Sequence, residues 1–63
     1  MKYTAIMTLE DGKVFVEQSD KLSVAEHFYD CFVDNGKRGT QDFYVELRQG
    51  VRLIWAFDGR HVL

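Results

Sequence analysis

The segment SVAEHFYDCFVDNG, residues 23–36, lies between two stretches with strand character, and it decides the fold that we predict. Apolar residues recur in it at helical spacing: Ala25, Phe28, Tyr29 and Phe32. Ser23 and Glu26 have the spacing of a capping box, which marks the start of a helix. Asn35 and Gly36 favour a left-handed stop, and Lys37 and Arg38 beyond them suit the negative end of a helix dipole. We predict a helix from about residue 24 to residue 35.

The stretch before the helix predicts a β-hairpin. Strand-like runs extend from Tyr3 to Leu9 and from Lys13 to Gln18, and Asp11-Gly12 between them suits a two-residue type I′ turn. That loop length would place Leu9 opposite Val14, Thr8 opposite Phe15 and Met7 opposite Val16. The face predicted to meet the helix then carries six residues: Tyr3, Ala5, Met7, Leu9, Val14 and Val16.

The stretch after the helix predicts a second hairpin, from Asp42 to Phe57. A three-residue loop at Arg48-Gln49-Gly50, with Gly50 as a bulge, would pair Leu47 with Val51. In that register Val45 lies beside Leu53 and Phe43 beside Trp55 on one face, whereas Glu46 meets Arg52 and Tyr44 meets Ile54 on the other. Residues 60–63 could form a docked tail or a short fifth strand.

Two hairpins that flank one helix resemble the ββαββ architecture of the bacterial immunoglobulin-binding domains. The resemblance concerns architecture alone, because no binding motif is shared. It implies a four-stranded sheet in the order 2-1-4-3, with the first and last strands parallel at its centre and the helix packed on one face. The predicted fold class is therefore α+β, as a single domain over residues 1–63.

Composition restricts the class of protein more than it identifies a function. The chain has 63 residues and a formal net charge of −2. We therefore expect no global electrostatic attraction to nucleic acid or to an anionic membrane. Cys31 is the only cysteine, so no internal disulfide calls for an oxidising compartment. Without an apolar run of membrane-spanning length or a signal-peptide pattern, we expect a cytoplasmic protein with no membrane association.

No catalytic constellation is recognisable in the sequence. The candidate nucleophiles and bases are scattered along the chain: Ser19, Ser23, His27, Cys31 and His61. Of these, Ser23 already has a capping role in the predicted helix. His27 and Cys31 are one helical turn apart, which suggests a metal or thiol site, but a structural zinc site needs about four ligands. A small apolar role for Cys31 at the margin of the core is the alternative. We predict no enzymatic activity, no cofactor and no metal.

The outer face of the predicted sheet is the first candidate binding site. It carries Ile6, Phe15, Tyr44 and Ile54, which would form one apolar band across all four strands. Flanking polar residues could interrupt this band: Thr4, Thr8, Glu46 and Arg52. Exposed apolar patches on small proteins tend to mark contacts with other proteins. We predict that this band contacts another protein or a second copy of the chain, with Tyr44 as its anchor.

An acidic ridge on the helix is the second candidate. Glu26, Asp30 and Asp34 are spaced four residues apart and therefore line up along the helix. Like charges at this spacing are mildly destabilising, so the ridge could serve to bind a basic partner. An ordinary solvated helix face is the alternative interpretation.

Five basic residues give an alternative function. They are scattered along the chain: Lys37, Arg38, Arg48, Arg52 and Arg60. If they converge near the loops, they could form a platform for single-stranded nucleic acid together with Phe15 and Tyr44. Basic residues in loops more often serve solubility.

The function predicted from these features is a small non-enzymatic interaction module that occupies a surface on another protein. Short acidic chains without a recognisable active site are common among small inhibitors and modulators, including host-directed proteins of bacterial viruses. The alternative function is a homodimeric accessory protein that binds nucleic acid through the outer sheet face and the basic loop residues.

Overall fold

A computed structural model describes residues 2–60 of the chain as a four-stranded sheet with one helix packed on one face. The elements in chain order are β1 (Tyr3–Leu9), β2 (Val14–Ser19), α1 (Leu22–Arg38), β3 (Phe43–Gln49) and β4 (Arg52–Gly59). This confirms the predicted α+β class and the ββαββ element order. Residues 61–63 of the predicted tail lie outside the described residues.

The strand order is β2-β1-β3-β4, and the predicted order 2-1-4-3 is wrong. All neighbouring strands are antiparallel, so the central pair is β1 with β3 and not a parallel pair of β1 with β4. Antiparallel pairing is slightly more stable per residue than parallel pairing, and β4 contains a bulge, a feature typical of edge strands. The second hairpin therefore joins the sheet through β3, and β4 becomes an edge.

The first hairpin has a three-residue loop in place of the predicted two-residue turn. The amide of Gly12, which has a positive φ of 94°, donates to the carbonyl of Leu9, and the Leu9 amide donates to the carbonyl of Lys13. This is a turn followed by a glycine bulge. The register consequently shifts by one residue, so that Met7 lies opposite Phe15 and Ile6 opposite Val16.

The second hairpin also differs in register from the prediction. Gln49 pairs with Arg52 around a two-residue turn, in which Gly50 has a φ of 60° and Val51 has no positive φ. This pattern fits a type II′ turn. A bulge between the Leu47 and Arg48 pairs then inserts Ile54 as an extra residue, so that Leu47 lies opposite Trp55.

The two register shifts exchange residues between the faces of the sheet. A one-residue shift moves every side chain of a strand to the other face. Phe15 and Ile54, predicted on the outer face, lie on the helix side. Val14, Val16 and Leu53, predicted in the core, lie on the outer face with exposures of 55%, 52% and 45%.

The helix is longer than predicted at both ends. It begins after Lys21, whose side chain makes no capping hydrogen bond, and Ser23 lies inside the first turn, so the predicted capping box does not form. The predicted stop at Gly36 is also wrong, since the helix continues to Arg38 and Gly36 has no positive φ. Gly36 instead lies against the ring of Phe43, where a larger side chain would collide.

The core lies between the helix and the two central strands. Ala5, Ala25 and Leu47 form one buried cluster, and Met7, Phe43 and Val45 form a second. The predicted apolar face of the helix packs against these clusters through Phe28, Tyr29 and Phe32. Because the helix rests mainly on β1 and β3, the edge strand β2 is exposed from Val14 to Gln18.

Candidate protein-interaction surface

The outer face of the sheet is the side that the helix does not cover. Its apolar cluster consists of Ile6, Val14 and Val16, on the adjacent strands β1 and β2. Ile6 is half-buried, whereas the two valines are more than half exposed. Tyr44 borders this cluster, since it lies opposite Thr8 on the neighbouring strand β3. Branched aliphatic side chains beside an exposed tyrosine are a suitable composition for a protein-binding surface.

A hydrogen-bonded strip follows the apolar cluster along β3. The Tyr44 hydroxyl donates to Glu46 Oε2 at 3.1 Å. Arg48 holds the same carboxylate through two bonds, from Nε to Oε1 and from Nη2 to Oε2, each 3.0 Å long. Arg48 Nη1 also donates to the carbonyl of Val51 at 3.2 Å. These bonds fix the directions of all three side chains. Less conformational entropy of these side chains is then lost when a partner binds.

The charges in this strip stabilise one another. The hydrogen bonds from Arg48 lower the pKa of the Glu46 carboxyl, with a smaller contribution from Tyr44. Partial desolvation raises the pKa of the Tyr44 phenol, and the bond to Glu46 raises it further. At neutral pH the strip therefore consists of a neutral tyrosine, a carboxylate and a guanidinium. The predicted cross-strand pair of Glu46 with Arg52 is wrong, because Glu46 lies opposite Ala56 and its carboxylate is bound by Arg48.

The predicted four-residue apolar band does not form. Ile6 and Tyr44 lie on the outer face, but Phe15 lines a groove next to Phe32 of the helix. Ile54 packs against the buried cluster of Ala5, Ala25 and Leu47. The outer apolar residues that the prediction missed are Val14, Val16 and Leu53. Had the first turn been interpreted as a three-residue loop, Glu10-Asp11-Gly12 with a glycine bulge, the resulting register would have placed both valines on the outer face.

A concave groove lies beside Phe15. It has a volume of about 440 Å³ and lies between the C-terminal half of the helix and the first hairpin. Its apolar walls are formed by Met7, Leu9, Phe15 and Phe32. Phe15 itself is 43% exposed, so one wall of the groove faces solvent on the side of the β2 edge.

The acidic ridge is present on a continuous helix. Glu26 is half-buried, while Asp30 and Asp34 are exposed, and no hydrogen bond or ion pair to these three carboxylates is found within residues 2–60. The structure thus leaves the ridge accessible. Its role as a binding site stays a prediction.

The five basic residues do not converge. Arg48 and Arg52 lie at the end of the sheet where Gln49 pairs with Arg52. Lys37 and Arg38 end the helix near the opposite end, where Lys37 Nζ lies 5.2 Å from the centre of the Phe57 ring. Arg60 follows β4 at that same end and bonds Asp58 at 3.2 Å. Phe15 and Tyr44 are also on different faces, so the predicted nucleic-acid platform is not assembled.

Within residues 2–60, two residues with reactive or metal-ligating side chains lie close together on the helix, His27 and Cys31. Cys31 Sγ lies 3.6 Å from His27 Nε2 on the exposed side of the helix. No group of three or more metal-ligating side chains occurs in the described part of the chain. The one helix of the described residues, α1, is not long and apolar enough to cross a membrane.

Comparisons with known proteins add no relative to these observations. The chain matches no protein-family model, no curated protein and no solved structure.

Proposed function

We propose that the protein is a non-enzymatic interaction module that binds another protein through the outer face of its sheet. By covering a surface of that partner, it acts as an inhibitor or modulator inside the cell. The observation that supports this proposal is the combination of an exposed apolar cluster, Ile6 with Val14 and Val16, and the ordered strip of Tyr44, Glu46 and Arg48 beside it.

This composition is the one expected of a binding surface. Tyrosine and arginine are enriched among residues that dominate binding energies, and an apolar centre beside oriented polar groups gives both affinity and specificity. Moreover, 63 residues form only a small core, so apolar residues left outside it reduce solubility without adding to the core. A contact on the outer face accounts for their presence.

The nucleic-acid alternative has weaker support. A platform for single-stranded nucleic acid needs aromatic rings and cations on one surface. Here the exposed Phe15 and Tyr44 are on opposite faces, and Arg48 is already bound to Glu46.

The test compares three versions of the protein in affinity capture and then with the purified partner. The double variant Ile6→Thr with Tyr44→Ala removes apolar contact and the tyrosine anchor, and it leaves the β2 edge unchanged. Val51→Thr is the matched control, because Val51 is 96% exposed at a hairpin tip away from the apolar cluster. We expect the double variant to bind the purified partner about thirtyfold more weakly, the loss expected of a residue that dominates an interface.

The position of the contact is tested by NMR of the labelled protein with the purified partner. Chemical-shift changes should cluster at the outer-face residues of β1, β2 and β3. An unchanged affinity of a folded double variant, or shift changes confined to the helix, would refute the proposal. Circular dichroism of the variants establishes that they are folded.

A further inference from the structure

The free edge of β2 differs from the edge at β4. The β4 edge is interrupted by the bulge at Ile54, and it carries Arg52 and Asp58, devices that prevent pairing with another strand. The β2 ladder runs without a register shift from Val14 to Ser19, and no strand within residues 2–60 pairs with its outer side. The sequence KVFVE of residues 13–17 is apolar at its centre and has opposite charges at its two ends.

The direction of the backbone groups allows this edge to accept another strand. The Leu9 amide donates to the carbonyl of Lys13 at 2.8 Å, so this carbonyl points toward β1, whereas the Lys13 amide donates to Oδ1 of Asp11 in the hairpin loop at 3.0 Å. Backbone groups alternate along a strand, and those of Val14 and Val16 therefore point to the free edge. They can form hydrogen bonds with a strand placed beside them.

We propose that two copies of the protein pair antiparallel through their β2 edges, about a two-fold axis at Phe15, to form one eight-stranded sheet. In this register Val14 of one copy and Val16 of the other exchange backbone hydrogen bonds, and their side chains meet on the outer face. The two Phe15 rings meet on the helix side, beside the groove that each ring lines. Lys13 of each copy lies opposite Glu17 of the other on that same side.

Charge complementarity selects this register among the symmetric ones. Opposed residues in a two-fold pair share a face, so the axis must pass through a residue of the strand. An axis at Glu17 would oppose two carboxylates, and one at Val16 would oppose Glu17 to Phe15. An axis at Val14 would oppose Glu17 to Asp11. The axis at Phe15 alone pairs both charges and both valines, and it provides a partner for Glu17, which lies on the helix side opposite Ala5.

This inference is independent of the proposed function. Lys13 and Glu17 lie on the helix side and not on the outer face, and self-association is measured without any other protein. A failure of the dimer therefore leaves the outer-face proposal unaffected, and the reverse also holds.

The decisive experiment uses charge reversal and mixing, followed by light scattering and sedimentation over a concentration series. In a homodimer, Lys13→Glu places a carboxylate opposite Glu17 at both ends of the pair, and Glu17→Lys places a second ammonium opposite Lys13 at both ends. We expect each variant alone to associate at least about tenfold more weakly than the wild type. An equimolar mixture should dimerise again, because each carboxylate of one chain then faces an ammonium of the other. Arg52→Glu, which makes the same charge change at the opposite edge, is the control.

The register is tested by cross-linking in a Cys31→Ser background. Phe15→Cys places two cysteines directly opposite each other in a non-hydrogen-bonded pair and should give a covalent dimer on mild oxidation. Val14→Cys, whose copies are not opposite each other, should cross-link far less. A wild type that remains monomeric at about 1 mM, above the range of specific association, would overturn the proposal. So would a dimer that forms equally well with Lys13→Glu, or a mixture that fails to associate.

Discussion

Replacing Gly36 by alanine tests the packing between the helix and the sheet. Helix propensity alone predicts that Gly36→Ala stabilises the protein by about 1 kcal/mol, because Gly36 lies inside the helix. The structure predicts the opposite sign. A Cβ at this position would overlap the ring of Phe43, and a Cβ on Gly59 would overlap the other edge of the same ring. The ring is held between the two glycines and cannot move away.

The expected loss follows from these two effects. Overpacking a core costs about 1–3 kcal/mol, and the confined ring places Gly36→Ala at the upper end of that range. After the gain in helix propensity is subtracted, we expect a net loss of about 2 kcal/mol. For a domain of this size that loss corresponds to a fall in melting temperature of about 10 °C.

Gly39→Ala is the matched control for this substitution. Its Cβ would lie 3.5 Å from the Gly36 carbonyl oxygen, an ordinary contact, and Gly39 has a negative φ of −78°. Its stability should stay within about 0.5 kcal/mol of the wild type. Urea denaturation followed by the fluorescence of Trp55, whose ring centre lies 5.6 Å from that of Tyr29, measures both variants. If Gly36→Ala proves as stable as the wild type, Phe43 is not packed between the glycines.

Three further predictions concern the strip, the ridge and the core. Because the pKa of Glu46 is lowered from 4.5 in the folded protein, the stability it contributes is present above that pH and is lost as the pH falls through the folded value. Acid should therefore destabilise the wild type more than Glu46→Gln in urea titrations at neutral and acid pH, and equal losses would contradict the pairing. Asp30→Asn with Asp34→Asn should leave the melting temperature unchanged or raise it, since it removes like charges, whereas a clear fall would show that the carboxylates stabilise the helix. Leu47→Ala should cost about 2–5 kcal/mol by chemical denaturation, because Leu47 is fully buried, and a smaller loss would place it outside the core.

The elements and the helix face could be predicted from local patterns. The alternation of Ala5 and Met7 and the helical spacing of Ala25, Phe28 and Phe32 are direct consequences of burying one side of a strand or helix. These residues occupy the predicted side. No long-range information was needed, because each pattern is contained within one element.

The register of the hairpins could not be predicted because loop length decides it. Gly12 supports either a two-residue turn or a glycine bulge after a longer loop, and the two differ by one residue in register. Because Val14, Phe15 and Val16 are all apolar, neither register is excluded by hydrophobicity. The face that each of these residues occupies was therefore determined by the turn and not by the strand.

The strand order and the end of the helix depend on contacts distant in sequence. Both strands of the second hairpin carry apolar residues, so either could have joined β1. Asn35-Gly36 has the composition of a helix stop, but the absence of a side chain at Gly36 serves the approach of Phe43 instead. A glycine required by packing looks the same in sequence as a glycine required by a turn.

The apolar sequence of β2 finds a common physical explanation in the two proposed contacts. An edge strand of a sheet that a helix covers on one face needs apolar residues on that face only. In β2 that residue is Phe15. Val14 and Val16 lie on the uncovered face, where the two proposed contacts would bury them. In the proposed dimer Val14 of each copy adjoins Val16 of the other, so the two apolar clusters containing Ile6 become one surface across the two-fold axis. A partner with two equivalent sites would contact both halves and gain avidity, so the dimer would bind it more tightly than either charge-reversed monomer does.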